Sequence, residues 1–325
     1  MTAVKATANG IREPRNETNP VTRAPVDCPL LSVIVCTKNR ASKLRLTLES
    51  LRGAAERGTA PWELIVVDNG SSDSTAEVVR SFFDAGLLPG RLVLEPRPGT
   101  AVARNRGVAE ARGQILASTD DDCVVDSGWL AAIEREFAAD PTLDLLGGRV
   151  ELYDSRDQPV TIRTSRERWT PTSPDRILML SGCNLAFRRR LVDIVGGRDQ
   201  DLGPGGRFRS GEDVDFLYRA WHAGARAVYA PDLLVYHNHG RRTDAEVDRL
   251  NRGYLFGRGA VYAKHVLGGD GVALKLVYWE VRWFLRALWH REPLGRSRRT
   301  TVRYLATLLV GFGSRALAGL YSGRA

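Results

Sequence analysis

The stretch QILASTDDDCVVDSGW, residues 114–129, runs from a short apolar segment straight into three consecutive carboxylates, Asp120, Asp121 and Asp122. Its apolar part has the length and composition of a buried strand, which places the acidic triplet at a strand's carboxyl end. Adjacent carboxylates repel one another, so a chain that gathers three of them must compensate their charge.

The segments upstream repeat the same plan. LLSVIVCT (30–37) is a continuous β-branched run, as expected of a strand covered on both faces in a parallel sheet. The segment NRASKLRLTLESLRGA (39–54) follows with Leu44, Leu48 and Leu51 at helical spacing. WELIVVDNGSSDST (62–75) reads as a second strand, a turn and a helix opening near Ser72 or Asp73. A third strand, RLVLEP (91–96), and a third helix, GTAVARNRGVAEA (99–111), lead into the acidic strand. This alternation predicts an α/β fold: a Rossmann-like, mostly parallel sheet flanked by helices.

In such sheets ligands bind beyond the carboxyl ends of the strands. Thr37, Asn39 and Arg40 follow the first strand, Asp68 ends the second, and Asp120 to Asp122 end the fourth. Three readings compete for the triplet: a solvated acidic loop, an acidic cap on the helix starting near Trp129, or ligands for a divalent cation. Convergence of all these polar groups on one sheet edge favours Mn2+ or Mg2+. A cation held by one or two carboxylates keeps positions for phosphate oxygens, so the expected partner is a diphosphate. No GxxxxGK[ST] loop is present, and the glycine-rich run GPGGRFRSG (203–211) follows no strand, which argues against P-loop and dinucleotide sites. Arg104, near the start of the third helix, is the expected phosphate-side cation.

Past residue 140 the pattern becomes irregular. LDLLGGRVEL reads as a strand, GCNLAFRRRLVDIVGG as strand then helix, SGEDVDFLYRAWHAGA as a helix, and RAVYAPDLLVYHNHG as one or two short strands. Trp129 is expected in the core, Gly182 and Asn184 in an acceptor cleft or a turn, and Asp215 with Arg219 as a pair on a helix surface.

Length and composition fit a soluble globular protein: 325 residues, 43% hydrophobic and 26% charged. Four cysteines lie scattered, favouring reduced thiols in a cytoplasmic setting over disulfides or zinc. Residues 1–29 have no apolar signal segment and are expected to form a disordered leader. The net charge of +9 is concentrated at the other end, where residues 241–325 hold sixteen Lys and Arg against six Asp and Glu. This C-terminal extension is expected to be helical. In VALKLVYWEVRWFLRALW, Leu274, Val277, Val281, Phe284, Leu285 and Leu288 fall on one face, with Lys275, Arg282 and Arg286 opposite and Trp279 and Trp289 beside them. Neither apolar run reaches the about 20 residues that span a bilayer, so the expectation is a cap on the sheet domain, peripheral contact with an anionic membrane, or both.

SVIVCTKNR, WELIVVDNGSSDST, PGTAVARNRGVAEARGQILASTDDDCVVDSGWL, GCNLAFRR and SGEDVDFLYRAWHAG resemble, in that order, the motifs of family 2 glycosyltransferases with the GT-A fold. The resemblance covers about residues 30–240, divided near residue 125 into nucleotide-binding and acceptor-binding halves. It implies an inverting, metal-dependent transfer from a nucleotide-diphosphate sugar, a UDP-sugar in the first instance, to an acceptor hydroxyl of a glycan, a lipid-linked or a small molecule. Residue by residue, it implies that Thr37, Asn39, Arg40 and Asp68 contact the nucleoside, and that Asp120 and Asp122 are the ends of the DxD motif with Asp122 the direct metal ligand. Asp121 and Arg104 are placed with the donor, Asp213 as catalytic base and Glu212 as the residue that orients the site. His237 is a candidate further metal ligand, and His239 an alternative. The QxxRW motif of processive synthases is missing: Arg168 and Trp169 precede Asp213. A sugar nucleotidyltransferase would need a glycine-rich loop where this chain has TKNRASK, and a nucleic-acid or membrane binder would leave the carboxylates unexplained.

Overall fold

The computed structural model describes residues 30–58, 60–289 and 297–322. The leader, with Cys28, lies outside the described residues. Eight strands form one sheet: β1 (Leu31–Thr37), β2 (Trp62–Asp68), β3 (Gly90–Leu94), β4 (Ile115–Asp120), β5 (Cys123–Val125), β6 (Leu145–Leu152), β7 (Asn184–Arg188) and β8 (Ala227–His237). The helices are α1 (Ala41–Ala55), α2 (Thr75–Asp84), α3 (Thr100–Glu110), α4 (Trp129–Ala139), α5 (Pro174–Ile177), α6 (Arg189–Val195) and α7 (Glu212–His222), followed by α8 (Asp244–Leu267), α9 (Gly271–Trp289) and α10 (Arg298–Ser322).

The strand order is β3-β2-β1-β4-β7-β6-β8-β5. Neighbours are parallel from β3 through β4 and between β6 and β8, and antiparallel at the other three pairings. The sheet is thus mixed, with its uninterrupted parallel part in the half that the β-branched runs predicted. Those strands are buried on both faces because one apolar cluster packs α1, α2 and α4 against one side while a second packs α3, α6 and α7 against the other.

Two boundaries differ from the sequence reading. Helix α2 starts at Thr75, with Asp73 accepting hydrogen bonds from the Thr75 amide and hydroxyl just before it. AVYAPDLLVYH is one strand of eleven residues that crosses an irregularity in its pairing with β6 between Gly148 and Arg149. Trp129 is fully buried, as expected, and donates its indole N–H to Asn184. Asn184 is not part of the cavity lining but does shape the turn: its backbone N–H bonds the Ser181 carbonyl at 3.0 Å, and its side-chain amide also bonds the Arg149 and Leu233 carbonyls inside the sheet.

Helix α3 shows how one short motif serves three ends. Arg104 points into the site, and Asn105 exchanges two hydrogen bonds with the Arg198 backbone. Gly107 lets the helix approach the sheet, since a β-carbon there would stand 2.4 Å from Ile34 Cγ2.

The C-terminal helices form a cap packed on this domain. A capping box of Thr243 and Glu246 starts α8, which runs alongside α10. Leu255, Tyr262, Phe284, Tyr304 and Leu308 make a core of their own. Leu202 and Phe208 join the cap to the sheet domain through Ala260 and Val261. The face predicted for α9 is partly wrong: Val277 and Phe284 pack inward, but Leu274 and Leu285 are exposed along with Tyr278, Trp279, Trp283 and Trp289. Glu280 sets that rotation by reaching Arg258 and Tyr262 of α8 at 2.9 and 2.5 Å. No helix among the described residues is long and apolar enough to cross a membrane.

Candidate functional site

A cavity of about 810 Å³ opens at the carboxyl ends of β1 and β4. It is lined by Thr37, Arg40, Arg104, Asp120, Asp121, Asp122, Glu212, Asp213 and His237, so the fold gathers every predicted site residue except Asn39 and Asp68 around one space. Those two stand behind it. Asn39 accepts the Ser72 amide proton, and Asp68 accepts that of Ser71, so both tie down the loops after β1 and β2.

Each carboxylate of the triplet has its own compensation. Asp120 accepts from Arg104 Nη2 at 2.8 Å. Asp121 accepts from the Thr37 hydroxyl at 2.8 Å and from Arg40 at 3.0 Å. Asp122 accepts from Arg40 at 2.7 Å and faces His237 Nε2 at 3.3 Å. Burial pushes the Asp121 carboxyl up to about 6 despite Arg40. Asp122 behaves oppositely: burial disfavours its charge, but His237, Arg40 and Lys43 outweigh burial and hold it well below the usual range.

Local pairing explains how His237 arrives. The chain reverses after Asp122 so that β5 pairs antiparallel with the end of β8, setting Cys123 opposite His237. His239 sits two residues beyond, its Nδ1 accepting from the Arg241 amide and lying 3.6 Å from Asp157, and unlike His237 it is not grouped with Asp122. Thr161 fixes the orientation of the His237 ring. Its hydroxyl donates to the Val160 carbonyl at 2.6 Å, so at 3.1 Å from His237 Nδ1 it accepts a proton and leaves Nε2 for the cavity side.

This donor set fits a divalent cation. Asp122 Oδ1 and His237 Nε2 are 3.3 Å apart, close to the edge of about 3 Å between neighbouring ligands of an octahedral ion. Carboxylate oxygen suits Mn2+ or Mg2+, and the imidazole nitrogen beside it favours Mn2+ of the two. Cys123 lies within the same group but shares a hydrogen bond with Cys183, which together with burial keeps its thiol protonated.

The second half of the site is the start of α7. Arg104 Nη1 donates to Asp213 at 2.8 Å and to Glu212 at 3.1 Å, so one buried guanidinium joins the triplet to both residues of GED. Arg104 therefore contacts carboxylates on every side instead of standing free at a helix start. Arg198 adds Nε at 3.2 Å from the same Asp213 oxygen while its guanidinium lies over Phe187 and Phe216. Burial works to raise the Asp213 carboxyl, yet Arg104 and Arg198 overcome it and keep the group ionised. Glu212 goes the other way, raised by burial and by the neighbouring Asp213 charge. Two adjacent carboxyls are thus driven apart, one toward carboxylate and one toward carboxylic acid.

Sequence reasoning missed Arg198 and Thr161. Neither sits in a motif, and each reaches the site from a loop whose path only the tertiary structure defines. It also misplaced Asp215, which is fully buried and bonds Arg219, Lys264 and His265 instead of lying on a helix surface.

Comparison with known proteins identifies the family. Residues 32–195 match the family described as Glycosyl transferase family 2, and residues 115–322 match Glycosyl transferase family group 2. The chain is a family 2 glycosyltransferase. It is 29% identical to glycosyltransferase AglE of Haloferax volcanii over 272 residues, which covers 82% of this chain and 83% of that one. It is 30% identical to the pre-mycofactocin glycosyltransferase of Mycobacterium tuberculosis, over 64% of this chain but only 43% of that protein. Among solved structures, the family fold recurs in mannosyltransferase PcManGT from Pyrobaculum calidifontis in complex with GDP-Man and Mn2+, with a TM-score of 0.60, 22% identity and coverage of 94% and 83%. S. aureus TarS in complex with UDP-GlcNAc aligns with a TM-score of 0.51 and 18% identity over 90% of this chain and 92% of that one.

Proposed function

We propose that this glycosyltransferase moves a sugar from a nucleoside-diphosphate donor, a UDP-sugar in the first instance, to an acceptor hydroxyl of a glycan or lipid-linked molecule, with inversion at the anomeric carbon. The observation that carries this reading is Asp213: an ionised carboxylate at the cavity wall, held by two buried arginines and connected through Arg104 to Asp120. Neighbouring folds that hold GDP-Man with Mn2+ or UDP-GlcNAc support a nucleotide-sugar donor.

In this reading Asp213 accepts the proton of the acceptor hydroxyl. Because Arg104 and Arg198 favour its charged form, proton transfer comes late, as the new bond to the anomeric carbon makes the hydroxyl acidic. A single carboxylate acting opposite the leaving group gives inversion. Glu212 accepts from Arg104 and so fixes the guanidinium between the two halves of the site. Asp122 and His237 would hold the cation, with Asp120 beside them, and a bound Mn2+ or Mg2+ supplies charge neutralisation for the departing diphosphate. Thr37 and Arg40 would position the nucleoside, on loops that Asn39 and Asp68 hold in place. Purified protein with UDP-sugars and Mn2+ should release UDP, and Asp213→Asn should slow that release by about 10²–10⁴-fold. Unchanged turnover in that variant would remove Asp213 as base.

The exposed aromatic face of α9, with Arg282 stacked on Trp279, favours peripheral contact with an anionic membrane surface. Vesicles containing anionic lipid should sediment with the protein, and a Trp279→Ser/Trp283→Ser variant should stay in solution. Equal sedimentation of that variant would end this reading.

A further inference from the structure

The cavity extends beyond the catalytic carboxylates to the loop before α5 and to α8. Along that stretch it is lined by Arg163, Arg209, Arg241 and Arg249. None of these four has a carboxylate within ion-pair distance among the described residues, whereas Arg40, Arg104 and Arg258 on the same cavity wall do. Arg163 gives its Nε and Nη1 hydrogens to the Met179 and Ile162 carbonyls. Arg209 is held with φ of +66° in a region that costs a non-glycine residue strain, and its guanidinium lies over Phe256.

The carboxylates on the same cavity wall are already engaged. Asp120, Asp121, Asp122, Glu212 and Asp213 meet Arg40, Arg104, Arg198 or His237, and Glu246 closes the capping box of α8. A diphosphate donor at the triplet would have its charge met by the cation that Asp122 and His237 would hold, and the four arginines lie outside that group. Four arginines without an ion-pair partner among the described residues thus line one stretch of the cavity, and forked guanidinium donors suit the oxygens of a second, phosphate-type anion. Tyr254, also on the cavity wall and exposed, offers an aromatic surface beside them.

We propose that Arg163, Arg209, Arg241 and Arg249 form an acceptor subsite that binds a phosphate group carried by the acceptor. This rests on the donor assignment above and specifies the acceptor class. It also gives the C-terminal cap a role in the reaction, since α8 carries Arg249 and Tyr254.

The test is calorimetric titration of the full-length protein, first with UDP and Mn2+, then with hexyl phosphate on the UDP-saturated protein, with inorganic phosphate and hexyl glucoside as comparisons. Hexyl phosphate should bind and the neutral glucoside should not. Inorganic phosphate should compete with hexyl phosphate. An Arg241→Gln/Arg249→Gln variant should lose about tenfold or more in hexyl phosphate affinity with UDP binding unchanged. Arg209→Gln, made separately, guards against a folding defect in the double variant. Parallel loss of UDP affinity would assign the arginines to the donor and overturn the proposal. So would hexyl phosphate binding that ignores the substitutions, or its absence in the wild type. Failure of UDP and Mn2+ to bind the wild type is a different result: it would overturn the donor assignment, and the acceptor subsite with it.

Discussion

Gly182 and Asp213 are packed so closely that a β-carbon at position 182 would stand 1.6 Å from Asp213 Oδ2. The GCN and GED motifs, twenty-nine residues apart in the chain, are therefore two sides of one contact, and the glycine is the space in which the carboxylate sits.

Gly182→Ala should accordingly displace Asp213 without removing any chemical group. Misplacing a reacting group by about 1 Å costs about 10²-fold in rate. Steady-state kinetics should show that loss in kcat, while UDP affinity stays near the wild-type value because the triplet is untouched.

Arg104→Gln should move the pH dependence. The guanidinium favours the charged form of Asp213, so its removal raises that carboxyl's pKa. The acid limb of the kcat/KM profile should then shift to higher pH. An unmoved limb would mean that Arg198 alone keeps Asp213 ionised or that another group titrates.

Asp215 supplies a stability test separate from catalysis. Burial opposes its charge, but the His265 hydrogen bond, Lys264 and Arg219 outweigh burial and hold the carboxyl well below its usual range. Its pKa is depressed on folding, so its contribution is fully present above the ordinary carboxylate pKa and is lost as pH falls toward the native one. Asp215→Asn should cost about 2–4 kcal/mol at neutral pH, since it leaves Lys264 and His265 without their shared partner. In urea melts the gap to wild type should narrow as the pH is lowered below about 4.

Much of this site was legible in the sequence because it is built at strand ends. Once LSVIVCT, WELIVVD and ILASTD are recognised as neighbouring parallel strands, Thr37, Asp68 and Asp120 must share an edge, whatever the rest of the chain does. GED was legible through its resemblance and its place at a helix start. What the sequence hid depends on contacts between distant segments. Arg198 comes from the loop after α6 and Thr161 from the irregular segment between β6 and α5. Asp215 reads as a surface residue until α8 is docked over it. The face of α9 went partly astray for the same reason: an isolated helix buries its most apolar stripe, but the Glu280 contact with Arg258 and Tyr262 turned the helix and left four aromatic residues outside.

The proposed transfer depends on a metal-dependent nucleotide site at Asp122 and His237. Calorimetric titration of UDP and of GDP into the wild type, with Mn2+, with Mg2+ and with EDTA, and into Asp122→Ala, measures it directly. One nucleotide should bind with metal, lose at least tenfold in affinity in EDTA, and bind no better to Asp122→Ala with metal than to wild type without it. Equal affinity in EDTA, or full metal-dependent binding by Asp122→Ala, would contradict the central claim.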